Sequence, residues 1–308
     1  MGTQYAPTHR HLDRPGLGIA TFVANLALMS LMSAAVREFV ERGYPLGEVL
    51  LLRYVFASAI FWIILLATAG LWALATRRPR DHAIRSVSGV LSLGMLYFAI
   101  TRIPIADATA IAYAAPIFIA VLSIFLLGET IGVRRWTAIV IGFVGVLLIV
   151  RPQGGSWDIG LLAALGSAFF GAMVAIWLRR LSGSEHPVAI GIYYNGLGCL
   201  VCLGWTLSAG WVTPAGADAW LLAGFAAGCG LQQWFLTVSF RYAQARLLAP
   251  FEYLAMVFAA IVGYLFWGEI PLLTTWIGAA IIAASGLFIF ERQKKLRGGS
   301  AAKTVTLE

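Results

Sequence analysis

The feature that most constrains this chain is an internal repeat at an offset of 140 residues. Residues 113–150 and residues 253–290 each consist of an apolar span, a short polar break that contains Gly-Glu, and a second apolar span. The breaks contain Gly128-Glu129 and Gly268-Glu269, and a Trp follows seven residues after each Glu. Because chance rarely aligns spans, breaks and an aromatic residue together, the repeat predicts that one structural unit occurs twice.

The composition and the length of the apolar spans predict a membrane protein. Of the 308 residues, 60% are hydrophobic and 12% are charged, whereas soluble domains carry about 25% charged residues. A helix that crosses a membrane needs about 20 mostly apolar residues, and lipid excludes open sheet edges. We therefore expect an all-α membrane protein with ten transmembrane helices. The expected spans are residues 16–36, 47–69, 84–101, 104–127, 136–150, 158–178, 187–209, 218–240, 245–267 and 272–290.

The distribution of basic residues predicts the orientation in the membrane. If the N-terminus is cytoplasmic, 17 of the 22 Lys and Arg residues flank cytoplasmic ends of spans, four flank external ends, and Arg53 lies inside a span. The cytoplasmic set includes Arg77, Arg78, Arg80 and Arg85. Because cytoplasmic loops carry an excess of Lys and Arg, both termini are expected in the cytoplasm. The basic residues are scattered and form no nucleic-acid-binding module.

Five helices in each unit require the second unit to be inverted, because a five-helix unit ends on the opposite side from its start. The first parts of the two units match at an offset of 142 residues, in the pairs Gly18 and Gly160, Arg37 and Arg179, and Pro45 and Pro187. Two inverted five-helix repeats are typical of transporters that open a midplane site to each side in turn. The expected organisation is an N-terminal cytoplasmic tail (1–15), a first repeat (16–150), a second repeat (151–291) and a basic C-terminal cytoplasmic tail (292–308).

Several motifs resemble those of a known family. They are the two Gly-Glu breaks, Pro116 ahead of the first break, Arg53 in the second span, and the run LAPFEYLAMVFAAIVGYLFWGE at residues 248–269. Over residues 16–290 the chain resembles the drug/metabolite transporter superfamily in its ten-helix EamA form. The resemblance implies a secondary transporter of amino acids or other small metabolites in a bacterial inner (plasma) membrane. The YddG-like amino-acid exporters are the branch that it suggests, and outward transport is implied by this resemblance alone.

The two copies of the repeat differ in the position of their prolines. The repeat places Met256 opposite Pro116, and the proline of the second copy lies earlier, at Pro250. The two halves are therefore expected to bend differently. Structural roles are expected for both prolines and for Glu129 and Glu269, since each Glu could cap the first turn of the helix that follows it.

Two charged residues are expected within the membrane, where such groups mark functional sites. Arg53 is interpreted either as an anchor for a substrate carboxylate or as a packing residue that pairs with Asp107 or extends to the interface. Glu252 is interpreted either as a group that binds a substrate ammonium or a coupling proton, or as a partner of Arg241 or Arg246.

Uncharged polar residues at similar depth complete the predicted site. Amide and phenol groups on aromatic walls suit a small amphipathic substrate, although such groups also form hydrogen bonds between membrane helices. Together with Arg53 and Glu252, the predicted substrate-binding residues are Tyr97, Tyr113, Asn195, Gln232, Gln233 and Tyr253.

The expected function is export of small amphipathic metabolites, with amino acids as the first class, by alternating access. Alternatives within transport are import, or another metabolite or drug. An intramembrane enzyme would need a nucleophile–base or metal constellation at depth, and the four His residues are expected in tails or loops. A channel would need a ring of charge or a carbonyl filter. No catalytic residue, cofactor or metal site is predicted, and the expected partners are a small-molecule substrate and the lipid bilayer, not nucleic acid.

Overall fold

The computed structural model describes residues 14–127, 132–150, 158–182, 184–243 and 245–305. Its helices are α1 (Pro15–Glu41), α2 (Leu46–Ile64), α3 (Pro79–Ile100), α4 (Ile105–Ala112), α5 (Ala115–Leu127), α6 (Val133–Val150), α7 (Ile159–Leu181), α8 (Pro187–Ala209), α9 (Ala217–Tyr242), α10 (Ala245–Leu248), α11 (Leu254–Trp267) and α12 (Leu273–Val305). A π turn at Leu65–Ala69 extends α2, and 3₁₀ helices lie at Leu71–Leu74 and Ala249–Tyr253.

These helices give ten membrane spans within the described residues. Eight spans are long and apolar enough to cross a membrane, and two shorter apolar helices, Trp136–Val150 and Leu273–Ile289, complete the set. Helices α4 and α5 together form one span (Ile105–Leu126), and the second 3₁₀ helix joins α11 in another (Pro250–Trp267). The predicted all-α architecture is therefore confirmed.

Helix α3 begins earlier than the sequence predicted. Its first residue is Pro79, whereas the apolar span was expected to start at residue 84. Proline fits the first turn of a helix, because the N–H groups of that turn have no acceptor within the helix. Asp81 in the same turn complements the positive end of the helix dipole. The helix therefore includes Arg80 as well as Arg85.

The packing of the helices shows two inverted repeats. Helix α1 packs against α9, and α3 packs against α7. A two-fold axis that exchanges the two five-span units converts the first of these pairs into the second. The same axis maps the packed pairs α2–α8 and α6–α12 onto themselves. This relationship is the inverted-repeat arrangement of many membrane transporters.

Individual glycine contacts follow the same symmetry. A methyl group at Gly18 would lie 2.5 Å from Ala243, just after α9, and one at Gly160 would lie 2.7 Å from Arg102 and 3.0 Å from Ile103, just after α3. Gly18 and Gly160 are repeat equivalents, and Ala243 and Ile103 are separated by the 140 residues of the repeat. Small residues at such positions allow membrane helices to approach closely.

The α6–α12 contact lies on the axis itself. A methyl group at Gly145 would lie 2.7 Å from the Gly278 carbonyl oxygen. At the equivalent positions in the other repeat, the Ser285 hydroxyl donates to the Ala138 carbonyl oxygen at 2.6 Å. Residue 278 corresponds to residue 138, and residue 285 corresponds to residue 145, so the two contacts are images of each other. We refer below to the two ends of the bundle as the α1–α2 end and the α2–α3 end, after the connections found there.

Candidate substrate-binding site

Two broken helices meet at the centre of the bundle. Helix α4 ends at Ala112, and α5 starts at Ala115, one residue before Pro116. Proline lacks an N–H group and disfavours helical backbone at the residue before it, which ends the first helix there. In the second copy, the 3₁₀ helix Ala249–Tyr253 contains Pro250 and separates α10 from α11. The helix interruptions near Pro116 and Pro250 therefore differ in form, as the offset between the two prolines predicted.

The tyrosines at these two breaks contact each other. The ring centroids of Tyr113 and Tyr253 are 5.7 Å apart. The two residues are repeat equivalents, so the pseudo-two-fold axis passes between their rings. In α12, a side chain at Gly286 would collide with the Tyr253 hydroxyl and contact Pro116. Broken helices at the repeat interface are where transporters place their substrate and ion sites.

Arg53 lies in the second turn of α2 with aromatic side chains around its guanidinium. Its Cζ is 5.6 Å from the ring centroid of Tyr97 and 5.9 Å from that of Tyr54. In the described part of the chain Arg53 makes neither an ion pair nor a hydrogen bond. The expected pair with Asp107 is not formed, and Asp107 instead accepts a hydrogen bond from the Thr275 hydroxyl at 2.8 Å. Arg53 is thus a membrane-embedded cation held by rings rather than by an acid.

Two further tyrosines belong to this group and were not among the predicted site residues. Tyr54 is 1% exposed, and its hydroxyl lies 3.4 Å from that of Tyr194 on α8. Cys229 of α9 also lies beside Arg53. The sequence feature that could have indicated the position of Tyr54 is Gly198, since a side chain at Gly198 would overlap the Tyr54 ring. That signal can be recognised only once α2 and α8 are known to pack together.

The remaining predicted residues fall into different surroundings. The Asn195 side chain is buried, and its amide donates to the Gly191 carbonyl of its own helix at 2.9 Å. Gln232 and Gln233 are half-buried in α9, which packs against α1 and α2. Glu252 is exposed and lies close to Tyr113 and Tyr253. The side chains of its suggested partners Arg241 and Arg246 lie outside the described residues.

The second Gly-Glu break links the two repeats at the α1–α2 end. Gly268 ends α11 in the left-handed conformation (φ +66°), which glycine adopts without steric penalty. The Glu269 carboxylate accepts hydrogen bonds from Arg37 of α1 at 2.5 Å and from the Ile105 backbone N–H of α4 at 3.2 Å. Glu269 therefore caps α4 of the other repeat, and the expectation that it caps the helix after it is wrong. Glu129 lies outside the described residues.

One histidine is placed differently from the sequence prediction. His82 lies in the first turn of α3 and is 3% exposed. Its Nε2 is 3.3 Å from the Glu185 carboxylate on the connection between α7 and α8. The expectation that all four His residues lie in tails or loops is therefore wrong for His82, because α3 begins before it.

Comparison with known proteins agrees with this architecture. The model of the EamA-like transporter family matches residues 16–151 and 158–291. A riboflavin transporter of Rhizobium johnstonii is 32% identical over 252 residues, which cover 78% of this chain and 82% of the relative. A pseudopaline exporter of Pseudomonas aeruginosa is 30% identical, with 92% of this chain and 99% of the relative covered. An S-adenosylmethionine uptake transporter of Rickettsia prowazekii is 27% identical, with coverage of 90% and 94%.

A solved crystal structure shares the fold. It superposes with a TM-score of 0.59 at 19% sequence identity and covers 88% of this chain and 95% of the solved chain. At that identity the likeness supports the fold alone. The family model, which matches nearly the whole chain in two copies, carries the assignment. The chain belongs to the EamA-like transporter family of the drug/metabolite transporter superfamily and is a multi-pass membrane transporter, not an enzyme.

Proposed function

We propose that this transporter exports a small amphipathic metabolite that carries a carboxylate, and that amino acids are the first class to test. The transporter assignment follows from the family. The residues around Arg53 support the carboxylate, and the resemblance to amino-acid exporters supports the outward direction.

The observation that carries the proposal is the unpaired guanidinium of Arg53. A charged group at membrane depth is stabilised by partners with the opposite charge or by water. The neighbours of Arg53 are instead the rings of Tyr97 and Tyr54. A carboxylate is the natural partner for such a group, because a guanidinium binds it with two parallel charge-assisted hydrogen bonds. The surrounding rings would contact the apolar part of the same substrate.

Alternating access follows from the inverted repeats. The two halves can exchange conformations around the pseudo-two-fold axis and so expose the central site to each side in turn. We assign the α2–α3 end to the cytoplasm, since most basic residues flank that end. Both termini then lie in the cytoplasm of a bacterial cell, and the protein lies in the inner membrane. In this orientation the Arg37–Glu269 contact lies on the external side.

The relatives supply the competing proposals. Their names include both an exporter and an uptake transporter, so import is the alternative direction. Riboflavin and S-adenosylmethionine, named for other relatives, are the alternative substrates. Riboflavin has no carboxylate for Arg53 to bind, whereas S-adenosylmethionine carries the carboxylate of an amino acid, and the two compounds belong in the same screen.

The test is a thermal-shift screen of the purified protein with matched acid and amide pairs, such as phenylalanine with phenylalaninamide. A ligand that binds the folded state raises stability, by about 2.7 kcal/mol at 100 times its Kd. We expect acids to raise Tm and their amides to have little effect, and transport into proteoliposomes to rank the acids in the same order.

Arg53→Gln is expected to reduce the difference between acid and amide. The matched control is Arg102→Gln, since Arg102 is exposed and also contacts a ring, that of Phe98, at 5.3 Å. Equal stabilisation by acids and amides in the wild-type protein would contradict the proposal. Strong stabilisation by riboflavin alone would replace it.

A further inference from the structure

Arg85 is a second unpaired arginine within the bundle. It lies in the second turn of α3, and its Nε and Nη1 atoms are buried without a hydrogen-bond partner in the described part of the chain. Its Cζ lies 4.2 Å from the ring centroid of Tyr194. Arg85 therefore combines two buried donors that lack a partner with an aromatic contact, and it shares the aromatic contact with Arg53.

The acids near the start of α3 are engaged elsewhere. Asp81, one turn before Arg85, is 3.8 Å from Arg78. Glu185 contacts His82. The titratable groups beside Arg85 are the phenols of Tyr194 and Tyr54, and neither is a carboxylate. Among the described residues, an ion pair therefore does not account for Arg85.

Tyr194 connects the two arginines. Its ring contacts the Arg85 guanidinium, and its hydroxyl lies 3.4 Å from that of Tyr54. The Tyr54 ring in turn contacts Arg53. Arg85 lies in the part of α3 nearest the α2–α3 end, and Arg53 lies in the part of α2 nearest the α1–α2 end. The two cations thus occupy successive depths along the bundle, with two phenols between them.

We propose that Arg85 is a second binding position for the substrate carboxylate, nearer the cytoplasm than Arg53. The carboxylate binds Arg85 first and passes along the Tyr194 and Tyr54 hydroxyls to Arg53. This inference rests on the proposed function, because it assigns a second anchor to the same anionic substrate. A carboxylate that loses its water inside the bundle is costly unless a cation lies beside it. Two cations along the path would provide such a partner while the halves exchange conformations.

The first experiment needs no substrate and compares Arg85→Met with Arg80→Met. Arg80 is an exposed arginine of the same helix, so its replacement should leave Tm unchanged. An unpaired buried charge destabilises the folded state, and apolar replacement of such a group is often stabilising. Arg85→Met is therefore expected to raise Tm, by about 2–4 °C. If Arg85 has a structural role instead, Arg85→Met lowers Tm and Arg85→Lys restores it, which would overturn the inference.

The second experiment measures binding, with benzoate as the probe and benzamide as its uncharged counterpart. In the wild-type protein benzoate is expected to raise Tm more than benzamide. Arg85→Met should reduce this difference, and Arg53→Gln combined with Arg85→Met should remove it. If Arg53→Gln alone removes the difference and Arg85→Met leaves it unchanged, the second position is wrong while the proposed function stands. If benzoate and benzamide act equally on the wild-type protein, the proposed function and this inference both fail.

Discussion

The Arg37 guanidinium donates to the Glu269 carboxylate at 2.5 Å, although the two residues belong to different repeats. Arg37 also donates to Glu41 at 2.8 Å and lies 4.5 Å from the centroid of the Trp267 ring. The second oxygen of Glu269 accepts from the Ile105 N–H. One carboxylate therefore ties α1 and α4 of the first repeat to the connection between α11 and α12 of the second.

This arrangement predicts that Glu269→Gln destabilises the protein more than it alters substrate preference. The change removes a charge-assisted hydrogen bond, which is worth about 1.5–3 kcal/mol, and leaves Arg37 with one carboxylate fewer. We expect a lower Tm and normal discrimination between acid and amide. The matched control is Glu38→Gln, since Glu38 pairs with Arg42 within one exposed helical turn. Such pairs contribute about 0.3–0.5 kcal/mol. Equal losses of stability in the two variants would refute the bridging role.

The axis contact between α6 and α12 predicts a second stability effect. Gly145→Ala would place a methyl group 2.7 Å from the Gly278 carbonyl oxygen, and overpacking of this kind costs about 1–3 kcal/mol. Gly196→Ala is the control, because space is open around Gly196 in α8. An alanine there is expected to stabilise the helix, by up to about 1 kcal/mol. Thermal unfolding of the two variants in one detergent compares them, and an unchanged Tm for Gly145→Ala would contradict the close contact.

The fold could be predicted from the sequence because the offset of the repeat and the lengths of the apolar spans are visible in the order of the residues. The matched Gly18 and Gly160, identified by offset alone, occupy equivalent helix contacts in the structure. Such contacts depend on the local size of a residue and on the symmetry of the chain, and both can be read without coordinates.

The site was predicted only in part, for a physical reason. Arg53 and Tyr97 were identified by charge and depth, and they do lie together. Tyr54 was missed, since a tyrosine in a lipid-facing position and one beside a buried cation look alike in the sequence. His82 was assigned to a tail or loop because the start of α3 was placed after it. Burial of a helix end depends on what packs against it, and apolar content alone does not reveal that packing.

The orientation can be tested with single cysteines in a background that lacks Cys199, Cys202 and Cys229. Arg77→Cys lies at the α2–α3 end and Ala215→Cys lies at the α1–α2 end, and both positions are exposed. The excess of basic residues predicts that the α2–α3 end is cytoplasmic. In intact cells an impermeant maleimide should therefore label Ala215→Cys at once and Arg77→Cys only after permeabilisation. The reverse pattern would invert the proposed topology and, with it, the order of the two arginines.

The group of residues around Arg53 gives the last prediction. Tyr97 is 3% exposed and contacts the Arg53 guanidinium, and Gln233 is half-buried in α9, which also places Cys229 beside Arg53. We expect Arg53→Ala, Tyr97→Ala and Gln233→Ala to abolish transport or to change its substrate selectivity, while the protein remains in the membrane. A lost hydrogen bond to a charged partner costs about 1.5–3 kcal/mol, against about 0.5–1.5 kcal/mol for an uncharged one. Arg53→Ala should therefore lower kcat/KM for the acid most, by roughly tenfold or more.

The control for these variants is Tyr264→Ala, since Tyr264 of α11 is a tyrosine with 59% of its surface exposed toward the outside of the bundle. Its loss is expected to leave transport unchanged. Tyr97→Phe separates the two functions of the Tyr97 side chain, because it keeps the ring against Arg53 and removes only the hydroxyl. If the ring holds the guanidinium in place, Tyr97→Phe retains the preference for acid over amide and Tyr97→Ala loses it. Wild-type transport by all three alanine variants would contradict the assignment of these residues to the substrate site and would leave the ten-span fold unaffected.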